Sequence, residues 1–160
     1  MYCTGRTYGM TVKVIEESEI EAVSLEEVKE YMEVDFDDWD GVLTDLIKAM
    51  RHVAEKYTNL SLVPKKLEVS WKAIGLMRPD LPYGPVDSNS ITPTGNLTAN
   101  TKYTYDTGYE LEEVPEEAKT AIKEMVHQAF DNRGDKTYDP HDIPPVAKMY
   151  LDRISQNLWL

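Results

Sequence analysis

Asp35–Tyr57, DFDDWDGVLTDLIKAMRHVAEKY, is the stretch on which the reading of this chain turns. Apolar residues recur at Val42, Leu43, Leu46, Ile47, Met50, Val53, Ala54 and Tyr57, the spacing that holds one stripe of an α-helix against a core. Asp37, Asp38 and Asp40 crowd its positive end, and Lys48, Arg51 and Lys56 lie toward its negative end, so both ends agree with the helix dipole. At about 1.5 Å per residue, roughly 20 residues make a rod of about 30 Å, the width of a small domain. The rest of the chain is expected to pack against this rod.

Upstream, Ser24 has the grammar of a helix start. Glu27 stands where a capping box needs it, and Val23 is placed to staple onto Val28. That helix ends near Glu33, so it forms a short-looped pair with the central one. Thr11–Ile15 reads as a short strand, and Met1–Gly9 as a flexible arm ahead of a single domain over residues 10–160. Downstream, Thr58-Asn59 can close the central helix. Lys66–Ile74 then alternates as a strand with Leu67, Val69, Trp71 and Ala73 on one face. Pro79, Pro82, Pro85 and Pro93 with Gly84 and Gly95 break the next stretch into extended pieces. Thr94-Gly95-Asn96 could join two strands there, and Thr101–Thr107 returns with Tyr103 and Tyr105 on one face. A helix from Pro115 carries Ala118, Ala121, Ile122, Met125, Val126, Ala129 and Phe130 inward until Asn132-Arg133-Gly134. A last helix over residues 144–158 carries Val146, Met149, Tyr150, Leu151, Ile154 and Leu158, and Trp159-Leu160 ends the chain. The expected fold is mainly α: a small bundle of about four helices, with a projecting β-hairpin or small β element over residues 66–107.

The totals bound what this fold can do. With 160 residues, the chain can bury a core without metals or disulfides, and its single cysteine, Cys3, has no intramolecular partner. A reducing compartment is expected. No apolar run reaches the roughly 18 residues of a membrane span, and the N-terminus lacks the apolar core of a signal peptide. The net charge is −12 and is unevenly placed. Glu16–Asp45 holds 13 acidic residues against one basic, Lys29, which leaves 16 of each sign elsewhere. Such a chain does not grip nucleic acid through a broad basic face. The segment reads either as a solvated acidic face or as a surface that meets a basic partner or repels DNA.

Motifs for chemistry are few. DFDDWDG crowds carboxylates before a glycine, but setting Gly41 at the sixth position of a calcium loop puts Phe36 first and Ile47 where a bidentate Glu belongs. Glu124 and His127 have the spacing of a di-iron helix without a second such pair; His52 and Glu55 stand in reversed order. No nucleophile elbow or phosphate loop occurs. These observations point to no catalytic, cofactor or metal residues, and to an interaction protein. The rivals are an acidic DNA mimic occupying a nucleic-acid-binding enzyme, or another protein-binding inhibitor, and a small metalloenzyme built on Glu124 and His127.

The order of several segments carries a further signal. SLEEVKEYMEVDFDDWDGVLTDLIKAMRHVAEKYTNLSLVPKKLEVSW, then LPYGPV, then TYDTGYELEEVPEEAKTAIKEMVHQAFDNRGD and finally IPPVAKMYLDRI resemble the head-tail connector, or adaptor, proteins of long-tailed bacteriophages. The similarity runs from about Met10 onward. It departs from the family in the Met1–Gly9 arm and in the diffuse β pattern of the middle region.

The resemblance implies a non-enzymatic virion protein without cofactor or membrane contact, made in the host cytoplasm. It implies a ring of copies, dodecameric in expectation, between the portal protein and a tail or neck completion protein. Genomic DNA passes through that ring without sequence-specific binding. The last helix would then meet the portal through Val146, Met149, Tyr150, Arg153, Leu158, Trp159 and Leu160. Asp35, Asp37, Asp38 and Asp40 would border the channel or contact the next subunit, and Tyr83, Asn96 and Tyr103 would lie on the projecting loop.

Overall fold

The computed structural model describes residues 8–73, 81–135 and 142–156. In chain order these form β1 (Tyr8–Glu17), α1 (Leu25–Met32), α2 (Asp40–Thr58), β2 (Lys65–Ala73), β3 (Lys102–Thr107), a 3-10 turn (Leu111–Glu113), α3 (Glu116–Asp131) and α4 (Pro145–Ile154).

The capping box at α1 is present. Ser24 Oγ accepts from the Glu27 N–H at 3.2 Å, and Glu27 Oε2 accepts from the Ser24 N–H at 2.8 Å. Val23 and Val28 are both buried in the helical core, as a staple requires. Glu33, in the left-handed region at φ 56°, stops the helix.

The central helix starts later than its sequence suggests, at Asp40 rather than Asp35, because the acidic entrance is drawn to Lys29. The Lys29 ammonium lies 2.6 Å from Asp37 and 2.8 Å from Asp40, and Trp39 takes the capping position without a side-chain cap. The Trp39 ring meets Phe130 of α3 edge-on at 5.9 Å, and the Arg133 guanidinium lies over both rings. At the far end Asn59, at φ 57°, closes α2. Every expected core residue of α3, from Ala118 to Phe130, is buried. Pro115 caps that helix from outside rather than standing as its first residue.

The three strands form one antiparallel sheet in the order β1-β2-β3, with Val12, Val69 and Tyr103 in line across it. β1 is twice the expected length and begins at Tyr8, so the last two residues of the expected arm belong to the sheet. Leu67, Val69, Trp71, Tyr103 and Tyr105 make a second core, separate from the helical one, under Leu81, Tyr83, Val86, Ile91 and Leu97. Each fully buried side chain of this kind contributes about 2 kcal/mol. Thr94-Gly95-Asn96 does not join two strands of a hairpin: β3 pairs with β2, and the preceding segment touches it through single bridges at Val86 and Thr92. α4 stops at Ile154, short of the expected 158, where Ser155 turns extended and the Gln156 N–H donates to Thr58 O at 2.9 Å.

Candidate functional site

α4 is two-faced. Ala147 and Leu151 are buried against the bundle, while Val146 and Met149 remain 50% and 48% exposed. Val146, Met149, Tyr150 and Arg153 follow the spacing of a single helix stripe. Tyr150 is half-buried with the Arg153 guanidinium 6.0 Å above its ring, and Tyr57 of α2 donates a hydrogen bond to Asp152 on another face. The structure thus brings four of the seven expected portal-facing residues to one exposed strip. Leu158, Trp159 and Leu160 lie outside the described residues.

The four entrance aspartates divide into two pairs. Asp37 and Asp40 are held by Lys29, whose hydrogen bond lowers the Asp37 carboxyl below its ordinary range. Asp35 and Asp38 are exposed and have no ion-pair partner among the described residues. The patch is therefore less negative than its sequence reads.

The expected loop residues separate as well. Asn96 is exposed, and Tyr83 is half-buried at φ 60°, its N–H bonded to Asn59 Oδ1 at 3.2 Å. Tyr103 is a correction: it does not project but is 2% exposed, beside Trp71 with ring centroids 6.0 Å apart. Its register opposite Val69 turns the ring inward. Its hydroxyl accepts from the Thr98 N–H at 2.8 Å and donates to Asn96 O at 3.2 Å, so it anchors the loop from below.

Sequence reasoning missed a buried charge network between the helical and sheet cores. Arg51, 1% exposed, meets Glu21 at 2.5 Å, Glu17 at 3.0 Å and Glu55 at 3.1 Å. Lys65 meets Glu55 at 2.5 Å and Glu17 at 3.0 Å, and Glu55 also accepts the Leu62 N–H at 2.8 Å. Burial alone would raise the Glu17 carboxyl, but hydrogen bonds and charge from Lys65 and Arg51 prevail and hold it at about 2. The signal was present: Arg51 and Glu55 fall on the same helix stripe as Ile47, Ala54 and Thr58, where exposed charges do not belong.

Glu17, His52 and Glu55 place donor atoms within 4.8 Å of one another, the spacing of a metal site. Burial, then Arg51 and Lys65, lower the proton affinity of His52. The Lys65 ammonium already occupies the cation position between the two carboxylates, and a metal ion would have to displace it. Glu124 and His127 have other engagements. Tyr31 donates to Glu124 at 2.7 Å, a bond that pushes the Tyr31 hydroxyl up to about 12, and His127 Nε2 lies 3.2 Å from Asp131.

Known proteins share this sequence pattern and this fold. The family described as "Phage gp6-like head-tail connector protein" matches residues 22–144. Among solved structures, a chain from the virion of a native gene transfer agent (GTA) particle superposes with a TM-score of 0.66 at 14% identity. That alignment covers 90% of this chain and 94% of the other. A chain from the neck of an empty GTA particle computed with C6 symmetry gives a TM-score of 0.67 at 13% identity, covering 91% and 95%. At such identities the likeness is one of fold. No curated protein matches the sequence.

Proposed function

Because the chain belongs to the phage gp6-like head-tail connector family, we propose that it acts as a ring between portal and tail, contributing to the channel through which DNA passes. A head-tail connector is a structural part of the virion neck, so its residues act by contact rather than by chemistry. The observation that carries the finer reading is the two-faced α4. Val146 and Met149 stand half exposed on one stripe with Arg153, a surface that another protein can cover. That stripe is the portal-facing surface in this reading, with Leu158, Trp159 and Leu160 following it in the sequence. Large apolar anchors with an arginine are the residue types that dominate interface energies.

The ring is a repeated head-to-tail contact, closing through its rotation. Asp35 and Asp38 face either the channel or the next subunit. The sheet and its covering loop, with Asn96 at the surface, point toward the remaining neck proteins. The test is co-purification of the chain with its portal protein. A Met149→Asp variant should keep the helicity of the parent and lose the portal; a variant that retains the portal places the contact elsewhere.

A further inference from the structure

We propose that the outer edge of β1 is a strand-addition site, filled in the assembled neck by an extended segment of a different virion protein; this rests on the connector reading above. β1 is ten residues long, stands at the edge of the sheet with β2 as its one ladder partner among the described residues, and touches α2 only by side chains, through Glu17 at its end and across a small cavity beside Val12 and Val14. In an antiparallel ladder, every second residue of such a strand turns its N–H and C=O outward, a ready template for another strand. Edges are usually blunted by proline or several charges. Here β1 has no proline, its ladder stays regular up to the irregularity after Val14, and its charges are Lys13 within the regular part and Glu16 and Glu17 beyond it.

The opposite edge is treated differently. β3 is closed by the chain itself: Thr92 and Thr104 exchange both backbone hydrogen bonds at 2.8 Å, and the Asp87 N–H donates to Asp106 O at 3.0 Å. The sheet face shows the same asymmetry. Met10, Val12 and Val14 stand opposite Trp71, Val69 and Leu67, on the face that carries the sheet core. The covering loop shields β2 and β3 but leaves Met10 43% and Val14 48% exposed. One further strand would complete both the ladder and the face.

Among the described residues, no strand of a second copy fits as the occupant. With β3 closed, the β1 edge of one subunit finds no open β3 on the next. β1 against β1 is self-complementary and makes a closed pair, not a link repeated around a ring. The occupant's chemistry follows from the edge: apolar residues at alternate positions above Met10, Val12 and Val14, and a basic residue near the end. There Glu16 and Glu19 have no ion-pair partner among the described residues.

Amide hydrogen exchange on the full chain, free and in purified particles, tests this. About every second amide from Met10 to Glu16 should slow at least about tenfold in the particle; unchanged exchange would overturn the proposal. A Thr11→Cys variant in a Cys3→Ser background, treated in particles with a short thiol-to-amine cross-linker, should join the chain to another virion protein. A product joining two copies, or none, would count against it. Absence of the chain from particles would instead overturn the connector reading itself, and this proposal with it.

Discussion

Lys65 Nζ lies 2.5 Å from Glu55 Oε2, so the first residue of β2 is tied to the last turns of α2. The backbones of the named strands stay more than 8 Å, Cα to Cα, from those of the named helices, so side chains must span the gap. The network of Glu17, Glu21, Arg51, Glu55 and Lys65 therefore links the two cores, beside the backbone bonds that Asn59 and Ser61 exchange with Gly84.

Removing Glu55 should be costly. Glu55→Ala leaves Arg51 and Lys65 buried near each other with one fewer counter-charge and frees the Leu62 N–H. Breaking a buried pair from one side costs about 3–5 kcal/mol, and urea unfolding should show a loss of that size. A loss below about 1 kcal/mol would mean that water already screens the network.

Acid should act through Glu17. Its carboxyl titrates near 2 in the folded chain and at its ordinary 4.5 when unfolded, so between those values the unfolded chain binds the extra proton. The contribution is thus fully present above 4.5, falls as pH drops, and is gone below about 2. It amounts to on the order of 3 kcal/mol. Stability measured against pH should fall more steeply over that window for the parent than for Glu17→Gln; parallel curves would contradict the assignment.

Much of this architecture could be read from the sequence, for reasons visible in particular residues. The Ser24/Glu27 box and the α3 stripe depend on local spacing, and both stand where expected. The α2 start and the role of Tyr103 depend on partners distant in sequence. Lys29 reaches across to Asp37 and Asp40, and β2 sets the face on which Tyr103 lies. The Arg51 network escaped because its charges resemble surface residues until β1 and β2 bring Glu17 and Lys65 alongside. On α4 the apolar stripe was legible, but the division between a buried Leu151 and an exposed Met149 needed the packed bundle.

Gly108 should tolerate no side chain. Its φ is +111°, and an added Cβ would fall 2.1 Å from Val63 O, a backbone atom. Gly108→Ala combines left-handed strain with that clash where β3 leaves the sheet, and should cost about 3 kcal/mol or more in thermal or urea unfolding. Gly95→Ala, with no atom within 4 Å of its added Cβ, should cost less despite its own positive φ of +122°.

Charge reversal separates the two roles of the acidic entrance. Asp35→Lys with Asp38→Lys changes two exposed groups without an ion-pair partner among the described residues and should leave the melting temperature within a few degrees of the parent. Retention of DNA in the purified assembly would assign these positions to the channel, where like charge keeps DNA from adhering. Loss of the ring with no DNA retention would assign them to the subunit contact.

Whether the chain joins a portal as a ring is tested most directly by molar mass from light scattering, alone and mixed with the portal protein. The expected result is a small species alone and a large complex of defined stoichiometry with the portal, lost on Met149→Asp. A chain whose mass is unchanged by the portal would contradict it.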